Sequence, residues 1–453
     1  MKKTAMAVYG LGGICLFLHL CLPMAAASNV VFMSLRNGPA FILAPVENID
    51  ASSVFVYHST GARDDAPDSW GASYLCRDMM LYGATQNFEP YDRVNTVKQV
   101  GGFNDVVVSY DHVVSSYVIP TIELETILRF ESECLNSLQL SDKYIDIQRG
   151  LLIKNVTSMN GNILVKADRM VKSKVFEGTV YERPIYGYPE TIKNIHNQGV
   201  KDTYARFKDL SKIIMVISGN FDVNELKKLL SKYFGGWVPP NENPRRPPLP
   251  QVPQSVPPRN KFYSENMMVD GLRGFEAIYG IRGPSIYDAE YVVFDFLRYY
   301  LTDARISELE REMNRVYGLN VTLSCELTDF LECNALTLTV YAKDRKTLEN
   351  AKWVINRKMD ALSRRWPEIV SDKKLKMVKS LMEIDFLKKM SLIEKRSAFL
   401  ADYFRIFRER QLNTAEDDYV RRIRKITAWD VVRVAQKYFV KPNRVLFNVV
   451  PSK

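Results

Sequence analysis

Nine of the chain's 21 prolines fall within one stretch, PPNENPRRPPLPQVPQSVPP, from Pro239 to Pro258. A segment this rich in proline lacks too many amide donors to be a helix or a central strand. It reads as an extended, semi-rigid spacer of roughly 3 Å per residue. It therefore divides the chain into a unit over 28–238 and a unit over 259–453, joined by a linker at 239–258. Proteolysis at Arg245–Arg246 is expected to leave two fragments of about half size.

The first 27 residues follow a different pattern. Lys2 and Lys3 precede an apolar run from Val8 to Leu22, then Pro23 and Ala25-Ala26-Ala27. This is the pattern of a cleaved secretory signal peptide, and the run is short for a membrane span. The mature protein is expected in the periplasm or outside the cell, with no transmembrane span. Export permits disulfides. Cys325 and Cys333 flank a hairpin turn, and either pair across it or stay as buried thiols like Cys76 and Cys134. The net charge is +10, or +8 without Lys2 and Lys3. The basic excess gathers after residue 343 and reads as solvated helix faces. No nucleic-acid-binding motif accompanies it.

The two units look alike. VVFMSL and AFILAP, joined through RNG, make a hairpin signal, and SSVFVYHST supplies a third strand. Helical patterns follow near 121–139 and 142–156, and the unit closes with LSKIIMVISGNFDVNELKKLLSKYF, a strand and then an amphipathic helix. The second unit has a strand at GFEAIYGIR, helix over much of 287–313, period-two alternation in NVTLSCEL, and helix through most of 344–438. It ends AWDVVRVAQKYFVKP and RVLFNVVPS, again pairing a helix with an apolar strand. The expected fold class is α+β, duplicated.

GASYLCRDMMLYGAT, Gly71 to Thr85, is the stretch on which function turns. Tyr74, Arg77 and Asp78 stand at i, i+3 and i+4, which puts a phenol, a guanidinium and a carboxylate on one helix face.

Together with LRNGPAFILAP, STGARDDAPDSWGASYL, VGGFNDVVVSYDHVVSSYVIP and VISGNFDVNELKKLLSKYFGGW, this helix resembles the insulinase/pitrilysin metallopeptidases. The likeness runs over about residues 30–450 and is nearest to the roughly 50-kDa processing-peptidase type. It implies two homologous α+β units forming one half of a clamshell, a metallopeptidase-like fold. Active members carry H-x-x-E-H, in which two histidines bind zinc and the glutamate activates water. The resemblance sets Tyr74 at the first histidine, Arg77 at the glutamate and Asp78 at the second histidine. In QRGLLIKN, led by Gln148 and Arg149, it sets Asn155 at the third ligand.

A phenol titrating near 10 is a poor zinc ligand. Arginine cannot accept a proton from water, and a neutral amide suits zinc badly. Asp78 alone does not make a three-ligand site. His58, His112 and His196 have no paired ligand spacing; His58 and His112 read as structural. No zinc and no other cofactor is expected.

The resemblance also implies an arginine–tyrosine pair, seven residues apart, that holds substrate. RISELEREMNRVYGLNVT offers Arg311 with Tyr317, six apart, or Asn314 with Val321. On the family's substrate-holding edge strand, Asp105 and Val106 replace Asn-Ala, and backbone pairing with an extended peptide is expected to remain possible. The implied function is a non-catalytic subunit of an exported peptidase. It would form a heterodimer with a zinc-bearing relative and help bind extended peptides. The alternative is a structural or binding protein of the same fold, homodimeric and with no peptidase role.

Overall fold

The computed structural model describes residues 30–35, 38–236, 254–364, 370–407 and 409–452. In chain order the first half runs β1 (Val31–Ser34), β2 (Ala40–Pro45), β3 (Ala51–His58), α1 (Ala72–Tyr82), α2 (Asp92–Gln99), β4 (Phe103–Val108), β5 (Val113–Pro120), α3 (Leu124–Ser137), α4 (Asp142–Gly161), α5 (Ile163–Val175), α6 (Pro189–Asn194), α7 (Asn197–Phe207), β6 (Ile213–Gly219) and α8 (Val223–Phe234). The second runs β7 (Tyr263–Val269), β8 (Phe275–Gly283), α9 (Glu290–Thr302), α10 (Glu308–Glu310), β9 (Thr322–Leu327), β10 (Asn334–Ala342), α11 (Arg345–Arg364), α12 (Asp372–Met390), α13 (Ile393–Phe407), α14 (Ala415–Lys425), α15 (Ala428–Tyr438) and β11 (Arg444–Pro451). The signal-like residues and Arg245–Arg246 lie outside the described residues.

The expected duplication is present in the topology. Leaving aside β1, which adds an edge, the first sheet is ordered β2-β6-β3-β5-β4 and the second β7-β11-β8-β10-β9. These are the same sequence of strands. In each sheet the last strand of the half runs parallel to the first, and the other neighbours are antiparallel.

Strands β2 and β6 are apolar and buried almost throughout because both faces of the sheet are covered. Phe41, Leu43, Met215 and Ile217 face α3 and α8. Ala40, Ile42, Ile214 and Val216 face the other way, onto Leu400, Ala401 and Phe404 of α13. Helix α13 belongs to the second half. The exchange is reciprocal: Ala167, Val171 and Val175 of α5, from the first half, pack on Ile278, Ala335, Val445 and Phe447 of the second sheet. Gly280 on β8 makes room for this, since a Cβ there would lie 2.3 Å from a Val175 methyl.

The halves are thus interlocked rather than strung on a spacer. The last residues of the proline segment are docked too: the Val256 amide donates to Glu332 O at 3.0 Å, and Ser255 Oγ to Asp288 at 2.9 Å. A nick at Arg245–Arg246 should therefore give two bands under denaturing conditions and one peak in native size-exclusion chromatography. Separation of the fragments without denaturant would contradict the exchange of α5 and α13.

All four described cysteines are free thiols. Pairing of Cys325 with Cys333 is excluded by register, because Cys325 stands opposite Leu338, several residues along β10 from Cys333. His58 is buried, with Nδ1 at 2.9 Å from Phe207 O, and burial pushes its imidazole down to about 4. His112 stacks on Tyr57 at 4.8 Å.

Candidate functional site

Helix α1 is fixed from its N-terminus by a residue well before it. Gly71, the N-cap, has φ 103° and offers no side chain. The buried carboxylate of Asp65 takes the vacant role: it accepts from the amides of Gly71 and Ser73 at 3.2 and 3.1 Å and from Ser73 Oγ at 2.6 Å. Arg206 of α7 donates to the same carboxylate at 3.1 Å. A Cβ on Gly71 would meet Tyr186 O at 2.9 Å, so glycine is also required by close approach. Leu75, Cys76, Met79 and Met80 are buried against α7 and α4. The remaining face presents Tyr74, Arg77 and Asp78, each half-buried.

Arg77 organises that face. Its Nε donates to Val106 O at 2.6 Å, Nη1 to Asp78 Oδ1 at 3.0 Å, and Nη2 to Asp105 Oδ1 at 3.2 Å. Its guanidinium carbon lies 5.8 Å from the centre of the Tyr74 ring, and Tyr74 meets Tyr186 edge to face. Burial raises the Asp78 carboxyl above the usual range, against the opposing pull of Arg77. One cation thus ties the helix carboxylate to the edge strand. The donor set does not fit zinc: the one carboxylate is already engaged by Arg77, and the guanidinium beside it offers a metal ion no lone pair. Among the described residues, no group of three or more His, Cys, Asp or Glu is placed to hold a metal ion.

On α4, buried Ile145, Gln148, Leu152 and Val156 form the packed stripe. Asn155 lies seven residues beyond Gln148, so it shares that azimuth, but it is exposed. Arg149 bonds Ile195 O at 2.9 Å and serves as a brace between α4 and the turn before α7.

The second-half residues have other partners. Arg311 opens a π-helical turn, Arg311–Val316, and is mostly exposed, with Nη2 at 3.3 Å from Glu308. Arg311 and Asn314 line a cavity of about 300 Å³ with Tyr300, Ser307, Glu308 and Lys374. Tyr317 packs edge to face on Trp353, with Arg357 over both rings. Asn314 brackets Val321, accepting its amide at 2.8 Å and donating to its carbonyl at 2.9 Å; this alternative pair closes the turn. Among the described residues, no hydrogen bond or ion pair joins Arg311 or Tyr317 to Arg77, Asp78 or Asp105. Sequence reading missed Asp65. The cue was an aspartate in the loop before a helix whose own N-cap is glycine.

Residues 41–188 match the family described as Insulinase (Peptidase family M16), and 194–380 match the family described as Peptidase M16 inactive domain. An uncharacterized zinc protease of Streptomyces coelicolor is 17% identical over 203 residues, 44% of each chain. Cytochrome b-c1 complex subunit 1 of Caenorhabditis elegans mitochondria is 22% identical over 231 residues, 51% of this chain and 47% of that protein. Each of these matches spans less than half of the relative's length. Among solved structures, a protease from Helicobacter pylori superposes with a TM-score of 0.81 at 17% identity, covering 94% of this chain and all of that one. The first half of the periplasmic protease PqqL of Escherichia coli gives 0.69 at 15% identity, over 93% and 92% of the two chains. At these identities the structural likeness establishes the fold. Among the described residues, no helix is long and apolar enough to cross a membrane.

Proposed function

Since this chain belongs to the insulinase (M16) peptidase family, we propose that it is a non-catalytic subunit that binds no zinc and works beside a zinc-bearing relative. Arg77 carries the reading. It stands at the position the family resemblance assigns to the water-activating glutamate, and its guanidinium is committed to Asp78, Asp105 and Val106 O. A group with no lone pair to offer cannot take a proton from water. Tyr74 and Asn155, at two ligand positions, are poor donors for zinc.

A partner is supported by apolar side chains left in solvent on the edge strand β4 and on α4. Phe103 and Val107 on β4 are 63% and 49% exposed, and Ile147 and Leu151 on α4 are 51% and 47% exposed. Exposed apolar side chains that group together mark interaction surfaces. In this reading the partner keeps an intact H-x-x-E-H helix, the pair closes the clamshell, and this chain shapes the chamber that receives extended peptides. The signal-like N-terminus and the likeness to a protease described as periplasmic support export.

A purely structural role without a peptidase partner is the second reading, favoured by the likeness to a respiratory-complex subunit. The test is to mix the purified chain with a candidate partner that carries H-x-x-E-H. The proposal expects co-elution and a gain in peptidase activity. A partner that is fully active alone and does not bind this chain would leave the structural reading.

A further inference from the structure

Among the described residues, strand β4 is the free edge of the first sheet and pairs only with β5. In an antiparallel pair, alternate residues turn both backbone polar groups toward the neighbour, and those between turn both outward. The phase is fixed at the hairpin turn: the Ser109 amide donates to His112 O at 2.8 Å. Counting back by twos, Val107 and Asp105 bond across to β5, while Val108, Val106 and Asn104 point outward. Val106, at the middle of that outward set, is where an added strand would make its central pair of hydrogen bonds.

Neither group of Val106 is free. Its carbonyl accepts from Arg77 Nε at 2.6 Å. Its amide donates to Asp105 Oδ1 at 2.8 Å, and the same oxygen accepts from Arg77 Nη2 at 3.2 Å. Two bonds to ionised side chains therefore occupy the positions an incoming backbone would need, and bonds of that kind are stronger than the neutral amide–carbonyl bonds that would replace them. Edge strands left open invite pairing with other chains, and inward-turned charges are a recognised means of preventing it.

We infer that Arg77 and Asp105 close the free edge of β4, so that this chain does not accept an extended strand there until both are displaced. This inference departs from the expectation that Asp105 and Val106 leave backbone pairing available. It does not depend on a partner subunit: the edge is closed within the isolated chain, and any peptide handled by a complex must meet the partner's edge, another surface, or this one after Arg77 has moved.

Amide hydrogen exchange on the intact protein is the first test. The Val106 amide should exchange about tenfold or more slowly than the outward amide of Asn104, and Asp105→Ala should abolish that difference. The second test uses a fluorescein-labelled peptide of alternating valine and threonine. Arg77→Met with Asp105→Ala, in a variant whose melting is cooperative, should bind it at least tenfold more tightly than the wild type. Equal exchange at Val106 and Asn104 would overturn the inference, as would wild-type peptide binding as tight as the variant's. Should the double variant fail to fold, the wild-type exchange pattern decides the question alone.

Discussion

Asp65→Ala is expected to lower the stability of the protein by about 3 kcal/mol, among the larger losses a single polar substitution can cause. The carboxylate is buried, and it accepts from the Gly71 and Ser73 amides, from Ser73 Oγ and from Arg206. Its removal leaves the first turn of α1 without a cap, a loss of about 0.5–2 kcal/mol. It also leaves Arg206 without its partner. Bonds to charged groups are worth about 1.5–3 kcal/mol each, but Arg206 is partly exposed and water recovers much of that. Asp65→Asn keeps one acceptor oxygen and should lose less than half as much. Urea denaturation of the three proteins decides it, and a loss below about 1 kcal/mol for Asp65→Ala would show that α1 is held by its apolar face alone.

The second large effect is a gain. Tyr74→His, Arg77→Glu, Asp78→His and Asn155→Glu, made together, should give a protein that binds about one zinc per molecule, where the unaltered chain is expected to bind none. The helix already places positions 74 and 78 at i and i+4 on a half-buried face, and Asn155 shares the α4 azimuth of the buried Gln148. Removing Arg77 also removes the cation that would repel the metal. The check is metal analysis after gel filtration, with the single Arg77→Glu as a control that should remain zinc-free. A folded fourfold variant without zinc would mean that α4 holds position 155 out of reach of α1.

How far these features could be read in advance depended on the range of the interactions involved. Strands β2, β6 and β8 announced themselves as short apolar runs bounded by turns. The α1 helix was legible because its buried residues recur at helical spacing and glycine stands at each end. The duplication was visible only as an apolar strand paired with a helix at the end of each half, yet it became the same strand order in both sheets. What the sequence concealed were the pairings at long range. The apolar stripes of α5 and α13 say that each helix must bury a face, but nothing in the period says that each buries it on the other half's sheet. Asp65 is separated from its partner Arg206 by most of the first half. The closure of Val106 depends on which way its amide points, and that is set by the hairpin turn at Ser109–His112 rather than by the residues themselves. The resemblance located Tyr74, Arg77, Asp78 and Asn155, but the commitment of Arg77 to β4 is a matter of geometry.

Everything proposed here about function rests on an α1 face that a cation has made unfit for metal. Metal content of the purified chain, measured beside Asp78→Ala and with peptide hydrolysis assayed on the same samples, tests that directly. The account predicts well under about 0.1 zinc per chain in both proteins and no cleavage by either. About one zinc per wild-type chain, lost in Asp78→Ala together with a measurable peptidase activity, would contradict it.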